Sequence, residues 1–333
     1  MSSASERGLG ALYGLAIGDA LGMPTQLMSR EEVTAKFGIL GGFREAPSDH
    51  MIAAGRPAGS ITNDTEQALL LADTLLAAGG HVDSEDFARR LLAWAERARE
   101  RGSLDLLGPS TSAAVTTLVA NGPLDVFGRS AATNGAAMRI TPVGLVAAPD
   151  DLAALLDLVV EASRVTHNTT VAIAGAAAIA AAVSGGITGA SVAETTTLAI
   201  RAAELGQQRG EWVAGASVAR RIAWAIGLIA THDHDRSVRD VVELVGTSIA
   251  TQESVPAAFA ILALHPDDPW QACLTAASLG GDSDTIAAMT GAIAGACHGM
   301  DRWPADAVQT VREINNVDLE MFAEKLLALR SRS

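Results

Sequence analysis

Cysteine occurs only twice in 333 residues, at Cys273 and Cys297. No disulfide framework can be built from such a chain, and no Cys/His zinc spacing is present. The pair suits a reducing compartment, and a cytoplasmic location is expected. Aromatic residues are scarce, at 4%. Runs that alternate apolar and polar side chains are few and β-branched runs are short, so a sheet-based fold is disfavoured. The abundance of Ala and Leu points to an all-α chain. Clustered Lys and Arg are also missing. The net charge is −14, and the densest basic runs, Arg89-Arg90 and Arg97 to Arg101, are interleaved with Glu. A nucleic acid or an anionic membrane would need a basic face, so neither is an expected partner. The first residues, MSSASERG, lack the charged-then-apolar layout of a secretory signal. The one long uncharged run, Thr169 to Ala193, consists mostly of Ala, Gly, Thr and Ser and is interrupted by Gly185-Gly186. It reads as a closely packed central helix rather than a lipid-facing span. Nothing in the sequence specifies an oligomeric state.

What remains is helical periodicity broken by short Gly, Pro and Asp punctuation. It predicts helices over 6–20, 30–36, 64–78, 84–101, 110–120, 134–139, 151–165, 169–184, 191–205, 214–228, 237–249, 254–264, 268–278, 284–298, 304–315 and 319–329. Residues 38–60, rich in Gly and Pro, read as an irregular loop. No repeat and no Pro- or Ser-rich linker divides the chain, and one domain over 1–333 is expected.

Two of these helices begin in the same unusual way. Ile61-Thr-Asn-Asp-Thr-Glu-Gln67 and Gly280-Gly-Asp-Ser-Asp-Thr285 each place an Asp-Thr pair, with further oxygen-bearing side chains, at the start of an apolar helix. Asp is a favoured N-cap, and Asp64 with Gln67 resembles a capping box. Capping uses one side-chain oxygen, whereas each cluster offers three or four. A helix N-terminus supplies only about half a positive charge. A buried carboxylate loses several kcal/mol of hydration, so Asp64, Asp282 and Asp284 together call for a cation. Oxygen-only ligands favour the hard ions Mg²⁺, Mn²⁺ or Ca²⁺. Six donors suit two ions bridged by a carboxylate, about 3.5–4 Å apart.

Four segments in order resemble the ADP-ribosylglycohydrolase family, the group that contains the dinitrogenase-reductase-activating glycohydrolase. They are Gly14-Leu-Ala-Ile-Gly-Asp-Ala-Leu-Gly22, Thr62-Asn-Asp-Thr-Glu-Gln67, Asn134-Gly-Ala-Ala-Met-Arg-Ile-Thr-Pro-Val-Gly144 and Gly280-Gly-Asp-Ser-Asp-Thr285, joined by Ser-Arg-Val-Thr-His at 163–167. The resemblance implies a compact, orthogonal all-α multi-helix bundle with a binuclear Mg²⁺ or Mn²⁺ site. It implies that Thr62, Asn63, Asp64, Asp282, Asp284 and Thr285 are metal ligands, with Asp64, Asp282 and Asp284 catalytic. It implies further that Asn134, Gly135, Arg139 and His167 meet the substrate. The activity implied is hydrolysis at the anomeric carbon of a ribose, releasing ADP-ribose from a modified acceptor. A smaller, nucleoside-like ribosyl compound and a non-catalytic ADP-ribose-binding relative are the alternatives.

Two positions depart from the family pattern. Asn63 stands where an Asp is usual, which removes one negative charge while keeping a carbonyl ligand. Gln26, seven residues after Asp19 on the substrate side, stands where members acting on ADP-ribosyl-serine or dinitrogenase reductase tend to carry Glu; a carboxamide cannot be a general base. His232-Asp-His-Asp235 mimics a metal tetrad but reads as a solvated turn. Asp267-Asp268 before Pro269 reads as a helix start, and the five Trp residues as core or half-exposed packing. Glu66 reads as compensation for the helix dipole. Asp19 is expected to tie the first helix to the ligand region.

Overall fold

The computed structural model describes residues 2–100, 109–119 and 127–330. Seventeen α-helices account for most of them, and no strand occurs among the described residues. In chain order they are α1 Ala4–Gly22, α2 Arg30–Phe37, α3 Asn63–Ala77, α4 Ser84–Glu100, α5 Pro109–Val119, α6 Gly135–Arg139, α7 Thr141–Val146, α8 Leu152–Ser163 and α9 Thr170–Ile187. There follow α10 Val192–Gly206, α11 Val218–Ile229, α12 His234–Asp240, α13 Thr251–Leu264, α14 Pro269–Ala277, α15 Ser283–His298, α16 Ala305–Asn315 and α17 Leu319–Arg330.

Local chemistry explains most of the helix starts. Ser3, Ser29 and Ser191 close capping boxes with Glu6, Glu32 and Glu194. Asp268 caps α14, with Pro269 in its first turn, as expected. Two expectations fail for local reasons. A helix over 237–249 was expected, yet α12 starts at His234 because Asp233 caps it by accepting from Arg236 N at 2.9 Å. It continues into a wide turn and stops at Gly246, whose N donates to Val241 O at 2.9 Å with φ +91°. The helix α7 was not expected; Pro142 sits at its start, where a missing N–H costs nothing. The expected helix ends at 101 and 120 lie outside the described residues.

The core forms around two helices with little side-chain bulk. Every residue of α9 is buried; it is the one described helix long and apolar enough to cross a membrane, and here protein surrounds it. The other is α15, which crosses α1 in backbone contact. A Cβ on Gly14 would lie 2.0 Å from Gly291 O, and one on Gly295 would lie 1.9 Å from Gly10 O. Glycines four residues apart on each helix therefore set a crossing that no larger residue permits, as in close-packed small-residue interfaces. This contact carries Asp19, near the end of α1, to the start of α15: a Cβ on Gly22 would lie 2.4 Å from Asp284 Cα. Among the tryptophans, Trp94 and Trp303 are buried, but Trp212 is 79% exposed, so it is not a packing residue.

Candidate active site

The second acid cluster is placed by its glycines. Gly280 and Gly281 have φ of +73° and +66°, a backbone region that favours glycine. They let Gly281 N donate to Met28 O (2.8 Å), Leu27 N donate to Gly281 O (2.6 Å) and Asp282 N donate to Thr247 O (2.7 Å). The loop is thus tied to two distant segments before α15 begins.

The first cluster is held by Asp19. Its carboxylate, wholly buried, accepts from Thr62 N at 2.9 and 3.0 Å, Thr65 N at 3.1 Å and Thr65 Oγ1 at 2.6 Å. Asp19 therefore clamps the start of α3 to α1, as the sequence suggested. One carboxylate oxygen each from Asp19, Asp64 and Asp284 lies within 4.8 Å of the others. The two helix starts, some 220 residues apart in sequence, do meet.

Two buried oxygens in this group have no hydrogen-bond partner: Asp64 Oδ1 and Asp284 Oδ1. Asp64 accepts at its other oxygen from Thr62 Oγ1 (3.2 Å). Asp282 accepts from Asn134 Nδ2, which also donates to Ser254 Oγ at 2.9 Å. Burial, and then the charges of Asp19 and Asp282, raise the Asp64 carboxyl well above the usual carboxylate range. Burial and the neighbouring Asp64 and Asp282 do the same to Asp284. Burial lifts Asp282 to about 6 against the hydrogen bond from Asn134. Asp19 is raised by burial and restrained by its bonds from Thr65 and Thr62. Crowded like charges that resist ionisation, with orphan oxygens converging, match the donor set of a hard divalent cation.

These groups open into a cavity of about 220 Å³. Asn63, Asp64, Asp282, Asp284 and Thr285 line it, together with Gln26, Asn134, Gly135 and His167. Thr62 lies just behind as the N-cap of α3. Asn63 donates through Nδ2 to Met138 Sδ (3.6 Å), which leaves its carboxamide oxygen for ligation. Gln26 donates from Nε2 to Met23 O (3.3 Å). Its backbone carbonyl accepts from His50 Nε2 (3.0 Å), because His50 Nδ1 already accepts from Ile52 N and Ala53 N.

Arg139 is elsewhere. It is wholly buried behind the cavity, not on its wall; it donates to Gln67 Oε1 (3.0 Å) and Thr166 Oγ1 and lies 5.0 Å from the Phe87 ring centre. The helix geometry of α6 turns its last residue inward, which the motif alone does not reveal. The cavity also takes Met138, from within the Asn134 motif, and Leu27, Ile52, Thr111, Thr133 and Ile249, which the sequence did not mark. Of these five, Thr133 alone carried a signal, by adjoining the Asn134 motif. Glu66 accepts from Trp94 Nε1 and so pins α3 to α4. In the His232 to Asp235 stretch, Asp233 is a cap, His232 pairs with Asp240 at 2.8 Å, and His234 Nε2 lies 3.2 Å from His265 Nε2.

The family model described as ADP-ribosylglycohydrolase matches residues 1–333. An uncharacterised protein of Escherichia coli (strain K12), YegU, is 36% identical over 327 residues, 98% of each chain. ADP-ribosylarginine hydrolase Tri1 of Pseudomonas putida (strain GB-1) is 28% identical over 96% of this chain and 78% of its own. A solved structure titled ADP-ribosylglycohydrolase-related protein complex matches with a TM-score of 0.65 at 25% identity, covering 99% of this chain and 100% of that one.

Proposed function

The chain belongs to the ADP-ribosylglycohydrolase family and is a glycosidic hydrolase, and from that premise we propose that it removes ADP-ribose from a modified acceptor with the help of two divalent cations, Mg²⁺ or Mn²⁺. The observation that carries this reading is the pair of orphan oxygens, Asp64 Oδ1 and Asp284 Oδ1, brought together from two separate acid clusters. Thr62, Asn63, Asp64, Asp282, Asp284 and Thr285 would hold the ions. When bound, the cations supply Lewis acidity toward ribose hydroxyls and toward an attacking water. The protein's own part is electrostatic and positional. Asp64, Asp282 and Asp284 place negative charge where an oxocarbenium-like transition state develops positive charge. Asp64 accepts the proton released by the water. Asn134 orients Asp282, and Asp19 holds the α3 start that carries Asp64.

A second reading has one observation in its favour. The cavity of about 220 Å³ is small beside the roughly 300–1,000 Å³ of ordinary ligand sites, which suits a smaller, nucleoside-like ribosyl compound. Incubation with ADP-ribosyl-arginine and with a nucleoside panel, in Mg²⁺ or Mn²⁺, separates the two readings by the product released. Release of neither ADP-ribose nor free base from any of them defeats both.

The raised carboxyls fix a pH dependence. In the metal-free chain, folded pKa values above the unfolded value of about 3.9 mean that the native state holds extra protons. Stability from these groups is present below pH about 4 and is lost as pH rises through the folded values, about 6 for Asp282. Cations must displace those protons, so they bind better at higher pH. Saturating Mn²⁺ is expected to raise the melting temperature by about 5 °C at pH 7.5 and by much less at pH 5. Equal shifts at both pH values in a thermal melt would contradict this. Asn63→Asp restores a full carboxylate; the Mn²⁺ concentration for half-maximal activation should fall on the order of tenfold. An unchanged titration would show that residue 63 does not ligate.

A further inference from the structure

A line of polar groups runs inward from the cavity wall. Ser110 Oγ lies 2.8 Å from Thr133 Oγ1, which lies 2.9 Å from His167 Nε2. His167 Nδ1 lies 2.8 Å from Thr166 Oγ1, which in turn accepts from Arg139 Nη2. Gln67 Oε1 accepts from the second terminal guanidinium nitrogen, Arg139 Nη1, at 3.0 Å. Gln67, Arg139, Thr166 and His167 are all fully buried, so the inner part of the line is insulated from solvent.

The direction of every bond follows from the end that can only donate. A guanidinium has N–H groups and no acceptor. Burial lowers Arg139 to about 9, so it is still cationic at neutral pH. It must donate to Thr166 Oγ1. A hydroxyl has one proton, and with its oxygen engaged by Arg139, Thr166 directs that proton at the nearby acceptor, His167 Nδ1. Burial first, and the Arg139 charge second, hold the imidazole well below its ordinary pKa, so the ring is neutral and carries a single proton. With Nδ1 accepting, that proton sits on Nε2 and is donated to Thr133. The Thr133 hydroxyl is then left to donate, to Ser110 or to a molecule in the cavity. The ring packs directly against the Gly135 backbone, where a Cβ would lie 2.6 Å from His167 Cε1.

We propose that Arg139 is a positioning residue which, through Thr166, locks His167 in its Nε2–H tautomer, so that Thr133, accepting from His167, presents its hydroxyl proton to an acceptor oxygen of the substrate. The proposal rests on the cavity being the substrate site, but its central measurement requires no turnover. A failed tautomer assignment and a failed hydrolase assignment are therefore told apart.

The test is histidine ¹⁵N/¹³C NMR on the full chain, whose seven histidines allow His167 to be assigned by its loss in His167→Asn. The parent chain should show a protonated Nε2 and a bare Nδ1. Thr166→Val keeps the shape but removes the donor, and should move the proton to Nδ1 or produce a tautomer mixture. Thr166→Ser should return the parent spectrum. ADP-ribose with Mg²⁺, measured by calorimetry, should bind about tenfold more weakly to Thr166→Val, the scale of one hydrogen bond, with Thr166→Ser rescuing it. A protonated Nδ1 in the parent chain overturns the proposal whether or not any variant folds. So does an unchanged spectrum in Thr166→Val, and equal ADP-ribose affinity in that variant removes the recognition role.

Discussion

Asp284→Ala is expected to abolish turnover while making the metal-free protein more stable. Both effects come from the same carboxylate. In the folded chain Asp284 is buried beside Asp64, and its Oδ1 has no hydrogen-bond partner. Removing it relieves a buried group that resists ionisation and so should stabilise the metal-free fold by about 1–3 kcal/mol. Catalysis moves the other way. If Asp284 ligates as proposed, loss of that ligand and of its negative charge should reduce kcat/KM by on the order of 10³ or more. The measurements are kcat/KM in saturating Mn²⁺ and a melt in chelator, followed by circular dichroism. An ordinary structural aspartate gives the opposite pattern, with the melting temperature falling alongside activity. Full activity in the variant, or full activity of the parent chain in excess chelator, would sink the metal-centred reading.

Gly14→Ala should be among the most damaging single-methyl changes along the α1–α15 crossing. In an ordinary helix interior, Ala is better than Gly by about 1 kcal/mol. At residue 14 the new methyl would sit 2.0 Å from Gly291 O and 2.8 Å from the Trp303 ring. The obstacle is backbone rather than a flexible side-chain tip, so α1 and α15 must separate. Separation opens voids along the crossing, and overpacking strain of this kind costs several kcal/mol. A loss of about 4 kcal/mol or more is expected in denaturant titration. The site should fail with the fold, because the same crossing brings Asp19 and Asp284 together. Gly227 in α11 is the control: nothing lies within 4 Å of a Cβ there, and Gly227→Ala should be neutral or stabilising by about 0.5–1 kcal/mol. If both variants melt alike, the close crossing is not what holds the two helices.

How far each feature could be read in the sequence follows the range of the forces behind it. Helix starts are written within three or four residues, because a cap needs only a side-chain oxygen and a nearby N–H. Ser3, Ser29, Thr62, Ser191 and Asp268 act in that way. The same local order made the acid pairs at Asp64-Thr65 and Asp284-Thr285 conspicuous, and their all-oxygen chemistry is why a hard divalent cation was expected there; the fold brings Asp64 and Asp284 into one buried acidic group that could hold a metal. The irregular stretch 38–60 and the buried, uncharged helix α9 were legible too, since composition alone governs them.

What only the tertiary structure decided is which groups meet. Asp19 was expected to tie the first helix to the ligand region, but only the fold shows which groups receive it: four bonds from Thr62 and Thr65 join α1 to the start of α3. Arg139 belongs to a recognisable motif but turns into the core, where Gln67, Thr166 and Phe87 receive it. Leu27, Ile52 and Ile249 reach one cavity from three distant segments. Capping and periodicity are local properties of the chain. The rotation of each helix about its axis is set by packing against partners far away in sequence, and that rotation selects which side chains share a site.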